Sequence, residues 1–439
     1  MNNSKQEDKH RIFDDLYGMV KFNDTEKKII DSPYFQRLRR IKQLGLAHLV
    51  FPGAMHTRFS HSIGTFAIAQ KVASVLSLNK EEEKNLRMAA LLHDIGHFPL
   101  SHTIEEVYSN LITELILKVQ KKKLKNGNQT DENPMQIPIL PKGVNLHEEI
   151  GSQIIKNTEL SGILQKEGFN PTEISLIITG QHPDIKFNQL MHSDLDIDQM
   201  DYLIRDAKNA GITYSTCDIE YLISNMRADS DIIFFDLKAL RALEHYFLAH
   251  YFYFTQILFH KTRSVIEYCA RKVYRTAIED EINIFNEPIP TIHTLSQYVL
   301  TKNYYYFDDN YFEVLLREIS SEKIQKYKQV ISYRKIPALY YEKLVLNDSS
   351  SDDNSRPKED EIIIIEEKKI LDDLKKIRMR NACPDSRLVY EDSKAVRLLI
   401  PNKYDYEPKV ILLCQFQDTV LQRLLDFKFK ILRRYRFRD

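Results

Sequence analysis

The chain has 439 residues, of which 43% are apolar and 28% charged. This composition is typical of a folded chain with one large domain or two to three ordinary ones. Its 62 basic residues balance 62 acidic ones, so no global field draws nucleic acid to it, although local basic patches can. No apolar run reaches the roughly eighteen residues of a membrane span. The polar N-terminus lacks a signal-peptide core, and the four cysteines are widely spaced. We therefore expect a cytoplasmic protein without cysteine-bound zinc.

Helix-forming residues dominate the first part of the chain, and glycine is scarce, with 12 residues in all. This predicts a mostly α-helical core for residues 1–345. Helical spacing of apolar residues covers 61–76, a short apolar helical run covers 88–92, and a Tyr- and Phe-rich helical pattern covers 240–278. A lysine run followed by Gly, Asn and Pro predicts a surface insertion or loop at about 115–146.

The C-terminal part of the chain has a different character. Residues 346–360 are rich in Asp, Asn and Ser, which predicts a linker. Beyond it, the apolar runs at 362–365 and 396–400 predict buried strands, and 372–379 predicts a helix between them. Residues 361–439 are therefore expected to form a small α+β appendage to the helical core.

The last residues, 427–438, alternate basic with aromatic or apolar side chains. Such a run can bind single-stranded nucleic acid by stacking and phosphate contact. It also fits an edge strand, a terminal helix with a solvated basic face, or an oligomer contact, and we favour these ordinary interpretations.

The most informative motif is the doublet His93-Asp94 within an otherwise apolar helical run. Burying an imidazole and a carboxylate costs several kcal/mol unless something pairs with them. A divalent cation is a suitable partner, since imidazole and carboxylate together suit first-row transition metals. The i, i+4 spacing of His93 and His97 predicts that they share one helix face.

Other candidate metal ligands lie on both sides of this doublet along the chain. They are His56 and His61, His102 and Glu105, His147-Glu148, and the acidic run 194–206. Taken singly, each histidine could be an ordinary hydrogen-bonded residue, and the acidic run could be a solvated helix face. The ordered combination of His, His-Asp and Asp is much less expected by chance.

In this order the motifs resemble the HD-domain phosphohydrolases, and within them the deoxynucleoside triphosphate triphosphohydrolases. The resembling segments are Phe35–Gly45, Val50–Ala54, Arg58–Gly64, Leu92–His102, His147-Glu148 and Asp196–Asp206. The resemblance covers roughly residues 12–275. It implies a mostly α fold with an HD-domain helical core.

The resemblance assigns four metal ligands, His61, His93, Asp94 and Asp198. Two imidazoles and two carboxylates suit Mn, Fe, Ni, Zn or Mg, in falling order of preference. Such an ion can polarise a phosphoryl oxygen and lower the pKa of a bound water molecule.

The family's catalytic positions, and those that support the metal ligands, match His97, His102, Glu105 and His147. A leaving 5′-oxygen needs a proton, and histidine is well suited to deliver it near pH 7. Either His102 or His147 is the expected general acid, with Glu105 orienting and polarising a histidine. The family has Asp where Glu105 stands, so the charge is kept while the reach differs.

The resemblance also places the substrate. It assigns sugar and base contacts to Gln43 and Leu44 and a phosphate contact to Arg58. It also assigns the ring under the deoxyribose to Tyr202 and the acceptor for the 3′-hydroxyl to Asp206. The family's lysine beside the last metal ligand is Gln199 here, so one phosphate-binding charge is missing. The basic stretch 260–263 could replace it.

Asp14, Gln36 and Arg39 match the residues that hold a regulatory guanine nucleotide in this family. They could equally form an ordinary polar helix face. The hypothesis is that a (d)NTP bound there promotes assembly of a homo-oligomer, a dimer or a tetramer.

The expected activity is hydrolysis of dNTPs to a deoxynucleoside and inorganic triphosphate. One alternative is an HD phosphohydrolase that acts on a second messenger or another nucleotide. The other is a nucleotide-sensing module without turnover, within a regulatory or antiphage assembly.

Overall fold

A computed structural model describes most of the chain. The described residues are 8–126, 144–229, 232–346, 360–369, 396–400, 409–413 and 428–437. The helix predicted at 372–379 and most of the predicted linker lie outside them. The fold is mostly α-helical with several small sheets, which confirms the predicted fold class.

The helices follow the chain in two groups. The first group comprises α1 Asp24–Ile30, α2 Pro33–Arg37, α3 Arg58–Val75, α4 Lys80–Leu92, α5 His102–Asn126, α6 Leu146–Asn157, α7 Glu159–Lys166, α8 Pro171–Ile178, α9 Ile185–His192 and α10 Ile197–Ala210. The second group comprises α11 Ile219–Ser224, α12 Leu240–Tyr253, α13 Lys261–Glu279, α14 Leu295–Tyr298, α15 Asp309–Glu318 and α16 Gln325–Tyr333.

The strands are short and lie mainly at the two ends of the chain. They are β1 His10–Asp14, β2 Gly18–Phe22, β3 Met226–Ala228, β4 Ile233–Asp236, β5 Asn283–Ile284, β6 Glu287–Pro288, β7 Ala338–Leu346, β8 Glu361–Lys369, β9 Arg397–Ile400, β10 Lys409–Leu412 and β11 Lys428–Arg436.

Helix α3 lies at the centre of the fold and packs against α4 and α10. Side chains on more than one of its sides are buried, including Phe66 and Ile68 at 0% exposure. Helix α4 begins at an Asn79 capping box and ends at Leu92, so the His-Asp doublet forms a turn after the helix. The prediction that His93 and His97 share one helix face is therefore wrong.

Helix α5 carries the chain to Asn126 and so extends into the predicted insertion. Residues 115–126, the first part of the predicted insertion, are therefore helical. Residues 127–143 lie outside the described part of the chain. The Asn145 capping box then starts α6, with the Glu148 carboxylate accepting the Asn145 backbone N–H at 2.9 Å.

The aromatic pattern at 240–278 forms two helices, not one. A single π-helical turn, Phe254–Leu258, separates α12 from α13. Such turns are frequent at functional sites, because they redirect side chains from the regular helical face.

Strands beyond the predicted linker pair with strands before it. In one sheet, of order β10-β9-β4-β3, β9 runs parallel to β4. In another, β11 lies between β7 and β8, antiparallel to both. The basic run at the C-terminus is thus a central strand, not the edge strand or terminal helix that its sequence suggested. The division of the chain at residues 346–360 stays a prediction.

Among the described residues, no helix has the length and apolarity to cross a membrane.

Candidate active site

The four predicted metal ligands meet where three helices converge. Helix α3 supplies His61, the turn after α4 supplies His93 and Asp94, and the first turn of α10 supplies Asp198. The Nε2 atoms of the two histidines lie 3.2 Å apart. His61 Nε2 lies 2.8 Å from Asp198 Oδ1, and His93 Nε2 lies 3.4 Å from Asp94 Oδ1.

Hydrogen bonds on the far side of each ring fix how these histidines face the centre. His93 Nδ1 lies 2.8 Å from the carbonyl oxygen of Ala90, which can only accept, so Nδ1 carries the hydrogen. His61 Nδ1 likewise donates to Asp201 Oδ2 at 2.7 Å. Both Nε2 lone pairs therefore point at a common centre beside two carboxylates. This donor set fits a divalent metal ion, whose charge both the lone pairs and the carboxylates would stabilise.

Behind His61, a buried ion-pair network holds the orienting carboxylate. Arg205 donates from Nε to Asp201 Oδ2 at 2.8 Å. The same guanidinium lies 3.0 Å from an Asp14 oxygen and 3.1 Å from an Asp15 oxygen. Asp14, predicted as a regulatory residue, therefore lies in a buried contact that leads through Arg205 and Asp201 to His61, a predicted metal ligand.

The other two predicted regulatory residues pair with each other nearer the surface. Arg39 Nε donates to Gln36 Oε1 at 2.9 Å, and its guanidinium stacks 3.5 Å from the centre of the Phe59 ring. Gln36 in turn donates to the carbonyl oxygen of Ile30 at 2.7 Å. A regulatory role for these residues stays a prediction.

Glu105 holds both candidate general acids. Its Oε1 accepts from the backbone N–H of His147 at 3.0 Å and from His147 Nδ1 at 2.8 Å, while Oε2 accepts from His102 Nδ1 at 2.8 Å. The His97 ring stacks on His147 with 4.0 Å between centroids, and His97 Nε2 lies 3.0 Å from Asp94 Oδ1. The histidines are thus contiguous with the predicted metal ligands.

Burial and charge set different protonation states for the two stacked rings. Burial opposes a charge on His147, but the Glu105 carboxylate outweighs it and raises the pKa of His147 to about 9. Burial, Arg58 and His147 hold the pKa of His97 well below its ordinary value. Near neutral pH, His147 therefore carries a proton and His97 does not.

A glycine in the His-Asp turn allows α6 to approach closely enough for this arrangement. A Cβ atom on Gly96 would lie 2.1 Å from the carbonyl oxygen of His147 and 2.3 Å from the backbone nitrogen of Gly151. A side chain at this position would force the backbone of His147 away from the predicted metal ligands.

A cavity of about 390 Å³ opens onto this site, a volume typical of small-molecule sites. Predicted residues that line it are Gln43, Leu44, Arg58, Asp94, His97, His102, His147, Asp198, Tyr202 and Asp206. Glu105 is buried behind the two histidines that it holds. The cavity therefore reaches two of the predicted metal ligands, Asp94 and Asp198, together with predicted catalytic and substrate residues, while His61 and His93 do not line it.

At the predicted sugar end, Asp206 is held on both sides. His56 Nε2 lies 2.6 Å from its Oδ1, and the Tyr253 hydroxyl donates to its Oδ2 at 2.7 Å. The rings of Tyr202 and Tyr253 lie 5.3 Å apart, and the Tyr202 hydroxyl contacts His250 Nε2 at 3.2 Å. Sequence reasoning missed Tyr253, whose position depends on the end of α12.

Gln199, in place of the family's lysine, is turned away from the cavity. Its Nε2 donates to the carbonyl oxygen of Ser193 at 2.7 Å and to Asp196 Oδ2 at 3.1 Å. These two contacts leave the side chain outside the cavity lining, so it offers no phosphate contact there.

Arginines of α13 line the cavity instead. Arg263 Nη2 lies 2.7 Å from Glu267 Oε1, and Arg271 Nη1 lies 3.0 Å from Glu106 Oε2. Arg263 belongs to the basic stretch that the sequence offered as a replacement, while Arg271 was missed. The i, i+4, i+8 spacing of Arg263, Glu267 and Arg271 along one helix face is the signal that could have found it.

Some buried polar atoms around the cavity have no hydrogen-bond partner within the described protein. They include Gln43 Oε1, His97 Nδ1 and Arg263 Nε. Buried polar atoms are rarely left unpaired, so a polar ligand or water is expected to contact them.

Comparison with known proteins agrees with this site. Residues 58–206 match the HD domain family, a range that includes all four predicted metal ligands. The chain is similar to the uncharacterized protein YwfO of Bacillus subtilis, with 32% identity over 267 residues, 58% of this chain and 53% of that protein. It is also similar to the Deoxynucleoside triphosphate triphosphohydrolase SAMHD1 homolog of Dictyostelium discoideum, with 30% identity over 275 residues, 61% of this chain and 49% of that protein. The chain thus spans about half the length of these relatives.

A solved structure shares the fold across nearly the whole chain. It is a hypothetical protein from Aquifex aeolicus, with a TM-score of 0.70 and 23% identity, covering 98% of this chain and 96% of that one.

Proposed function

We propose that this protein hydrolyses dNTPs to a deoxynucleoside and inorganic triphosphate. Its HD domain and a ligand set that fits a divalent metal together indicate a metal-dependent phosphohydrolase. The observation that carries the proposal is the cavity around which metal ligands, a protonated histidine and the predicted sugar and phosphate contacts gather. The name of the Dictyostelium relative supports the same substrate class.

His61, His93, Asp94 and Asp198 would hold the ion, which can be Mn, Fe, Ni, Zn or Mg. When bound, a divalent ion polarises a phosphoryl oxygen and lowers the pKa of a water molecule. Asp201 and the Ala90 carbonyl keep both histidines in the tautomer that this requires.

Hydrolysis at the α-phosphorus breaks the bond to the 5′-oxygen, and the departing oxygen needs a proton. His147 has one to give near neutral pH, because Glu105 raises its pKa to about 9. Its Nδ1 is bonded to Glu105, so Nε2 is the nitrogen that donates to the leaving oxygen. His102, also bonded to Glu105 but with 65% of its side chain exposed, is the alternative donor.

The arginines of the cavity wall supply the phosphate contacts. Arg58, Arg263 and Arg271 each pair with a carboxylate in this structure. Guanidinium binds phosphate with the same forked geometry, so a substrate would compete for these groups. The Tyr202 ring would close against C2′ of the sugar, and Asp206 would accept from the 3′-hydroxyl.

Product analysis tests the proposal. Purified protein with Mn²⁺ should release triphosphate and a deoxynucleoside from at least one dNTP. The double variant His93→Ala with Asp94→Ala should release neither, because it lacks half of the ligand set. Release of dNMP and pyrophosphate would contradict the proposed position of bond cleavage.

The orientation of Gln199 favours a second candidate. Gln199 is neutral where the resembling family has lysine, and its side chain bonds to Ser193 and Asp196, away from the cavity, so one positive charge that would bind a triphosphate is missing. An HD phosphohydrolase acting on another nucleotide or a second messenger would need that charge less. A panel of nucleotides with product identification separates the two candidates, while tight binding with no turnover would indicate a sensing module.

The resemblance further suggests a regulatory (d)NTP and a dimer or tetramer. Activity and mass in solution that stay unchanged on adding (d)NTPs would contradict this part of the proposal.

A further inference from the structure

The central C-terminal strand, β11, reaches the back of the cavity wall through one buried arginine. Arg433 is 5% exposed. Its Nη1 donates to the carbonyl oxygen of Phe259 at 2.7 Å and to Glu366 Oε2 at 2.7 Å, and its Nε donates to Glu342 Oε2 at 2.5 Å. One guanidinium therefore joins both neighbouring strands to the turn that precedes α13.

Two further hydrogen bonds hold the first turn of α13, which follows directly. The Tyr435 hydroxyl, also on β11, donates to the carbonyl oxygen of Lys261 at 2.7 Å. The Ser264 hydroxyl donates to Glu366 Oε1 at 2.6 Å, and the other oxygen of that carboxylate accepts from Arg433. Residues 259–264 are thus attached to the C-terminal sheet at their beginning, middle and end.

The segment 258–264, which runs from the end of the π-helical turn into the first turn of α13, carries side chains that line the cavity. Leu258 and Arg263 both face it, and Arg263 lies between two of the attached positions, Lys261 and Ser264. Arg263 also donates from Nη1 to the carbonyl oxygen of Leu258. The backbone that places a phosphate-binding guanidinium is therefore fixed from outside the cavity, by the C-terminal strand.

We propose that Arg433 is a positioning residue for the phosphate contacts of Arg263, an inference that rests on the proposed function insofar as the cavity takes a phosphorylated substrate. Without Arg433, the Phe259 carbonyl loses a donor, and the Glu366 carboxylate, whose side chain is only 15% exposed, loses its ion-pair partner. Losing a charged partner of buried groups is costly, so the turn relaxes to reach water. The metal ligands and His147 lie on α3, the turn after α4, α6 and α10, and keep their places.

The effect should fall on substrate binding and not on the chemical step. Arg433→Met should raise KM for the dNTP substrate by about tenfold while kcat stays within about twofold, which is the pattern of a lost binding contribution. Hydrogen exchange of peptides covering 254–264 should become faster. Arg433→Lys keeps the charge but replaces the planar guanidinium fork with a compact ammonium group that does not reproduce its geometry toward Glu342, Glu366 and the Phe259 carbonyl, so it should recover only part of the loss.

Arg436→Met is the matched control. Arg436 lies on the same strand, but its side chain is 51% exposed and pairs with Asp360 and Glu361 at the start of β8. The Arg436→Met protein should match the wild-type protein in KM, in kcat and in the hydrogen exchange of peptides covering 254–264. If Arg433→Met fails to fold, Tyr435→Phe removes one hydrogen bond to the same turn and should change KM and exchange in the same direction by less.

Several results would overturn the proposal. The proposal fails if Arg433→Met keeps the wild-type KM and the wild-type hydrogen exchange. It also fails if Arg433→Met lowers kcat alone, or if it loses bound metal. Binding of inorganic triphosphate by calorimetry separates this proposal from the proposed function. If the wild-type protein turns over no dNTP, yet Arg433→Met binds triphosphate more weakly with faster exchange at 254–264, the function fails and the positioning role stands.

Discussion

Glu105 accepts two hydrogen bonds from His147 on the same carboxylate oxygen, one from the backbone N–H at 3.0 Å and one from Nδ1 at 2.8 Å. The backbone contact fixes where the ring sits, and the side-chain contact fixes its tautomer and stabilises its charge. The same carboxylate therefore sets both the geometry and the protonation of the proposed proton donor.

Replacing the Glu105 carboxylate with a neutral amide should shift the pH profile of activity. In the proposed mechanism the protonated form of His147 is the active one, so activity should be present below its pKa, about 9, and be lost as pH rises through it. Glu105→Gln removes the charge, and the pKa should fall toward the ordinary histidine value of about 6.5. The alkaline limb of kcat/KM against pH should move to lower pH. An alkaline limb that stays in place would assign the proton to another group.

The Asp201 carboxylate should control metal affinity through His61. Asp201→Asn weakens the hydrogen bond that orients the ring, and losing a contact that orients a metal ligand costs about 10- to 100-fold in metal affinity. Titration of the metal-free protein measures this directly. Asp15→Asn alters a half-exposed contact of the same Arg205 and should leave affinity near the wild-type value. Equal losses in both variants would contradict the specific role of Asp201.

The two glycines Gly96 and Gly162 should respond oppositely to alanine. Gly96→Ala places a methyl group 2.1 Å from the carbonyl oxygen of His147 and should lower the free energy of unfolding by about 1–3 kcal/mol or more. Gly162, within α7, has open space where the alanine methyl group would lie, with no atom of the described residues within 4 Å. There alanine should raise the free energy of unfolding by about 0.5–1 kcal/mol. Urea denaturation measures whether the free energy of unfolding falls or rises in each variant. Destabilisation of equal size in both variants would contradict the packing argument.

Arg263 should bind phosphate, whereas its neighbour Lys261 should not. Arg263 lines the cavity, and Arg263→Met should raise KM for a triphosphate by about tenfold, equivalent to about 1.4 kcal/mol of lost binding. The side chain of Lys261 is exposed, so Lys261→Met serves as the control for losing a nearby positive charge. A similar KM change in both variants would indicate a general electrostatic effect.

The sequence was most informative where a function depends on residue types at short spacing. His93-Asp94 marked the site because adjacent metal-binding groups in an apolar run need a partner. Fold class also followed from composition and periodicity, and it is confirmed. Asp201 could have been found, since it lies one turn from Asp198 and four residues before Arg205 on α10.

Other features depend on contacts between distant parts of the chain. Where α4 stops, and hence where His97 points, is decided by packing of the following turn against α6. The place of Arg433 depends on β11 entering between β7 and β8, and the pairing of Asp14 with Arg205 joins β1 to α10. Local periodicity carries no information on such pairings.

The most direct test of the central claim is hydrolysis of a dNTP in ¹⁸O-labelled water with Mn²⁺, followed by mass analysis of both products. Attack at the α-phosphorus with the 5′-oxygen leaving predicts one ¹⁸O in inorganic triphosphate and none in the deoxynucleoside. Label in the deoxynucleoside, or release of labelled dNMP with pyrophosphate, would contradict it.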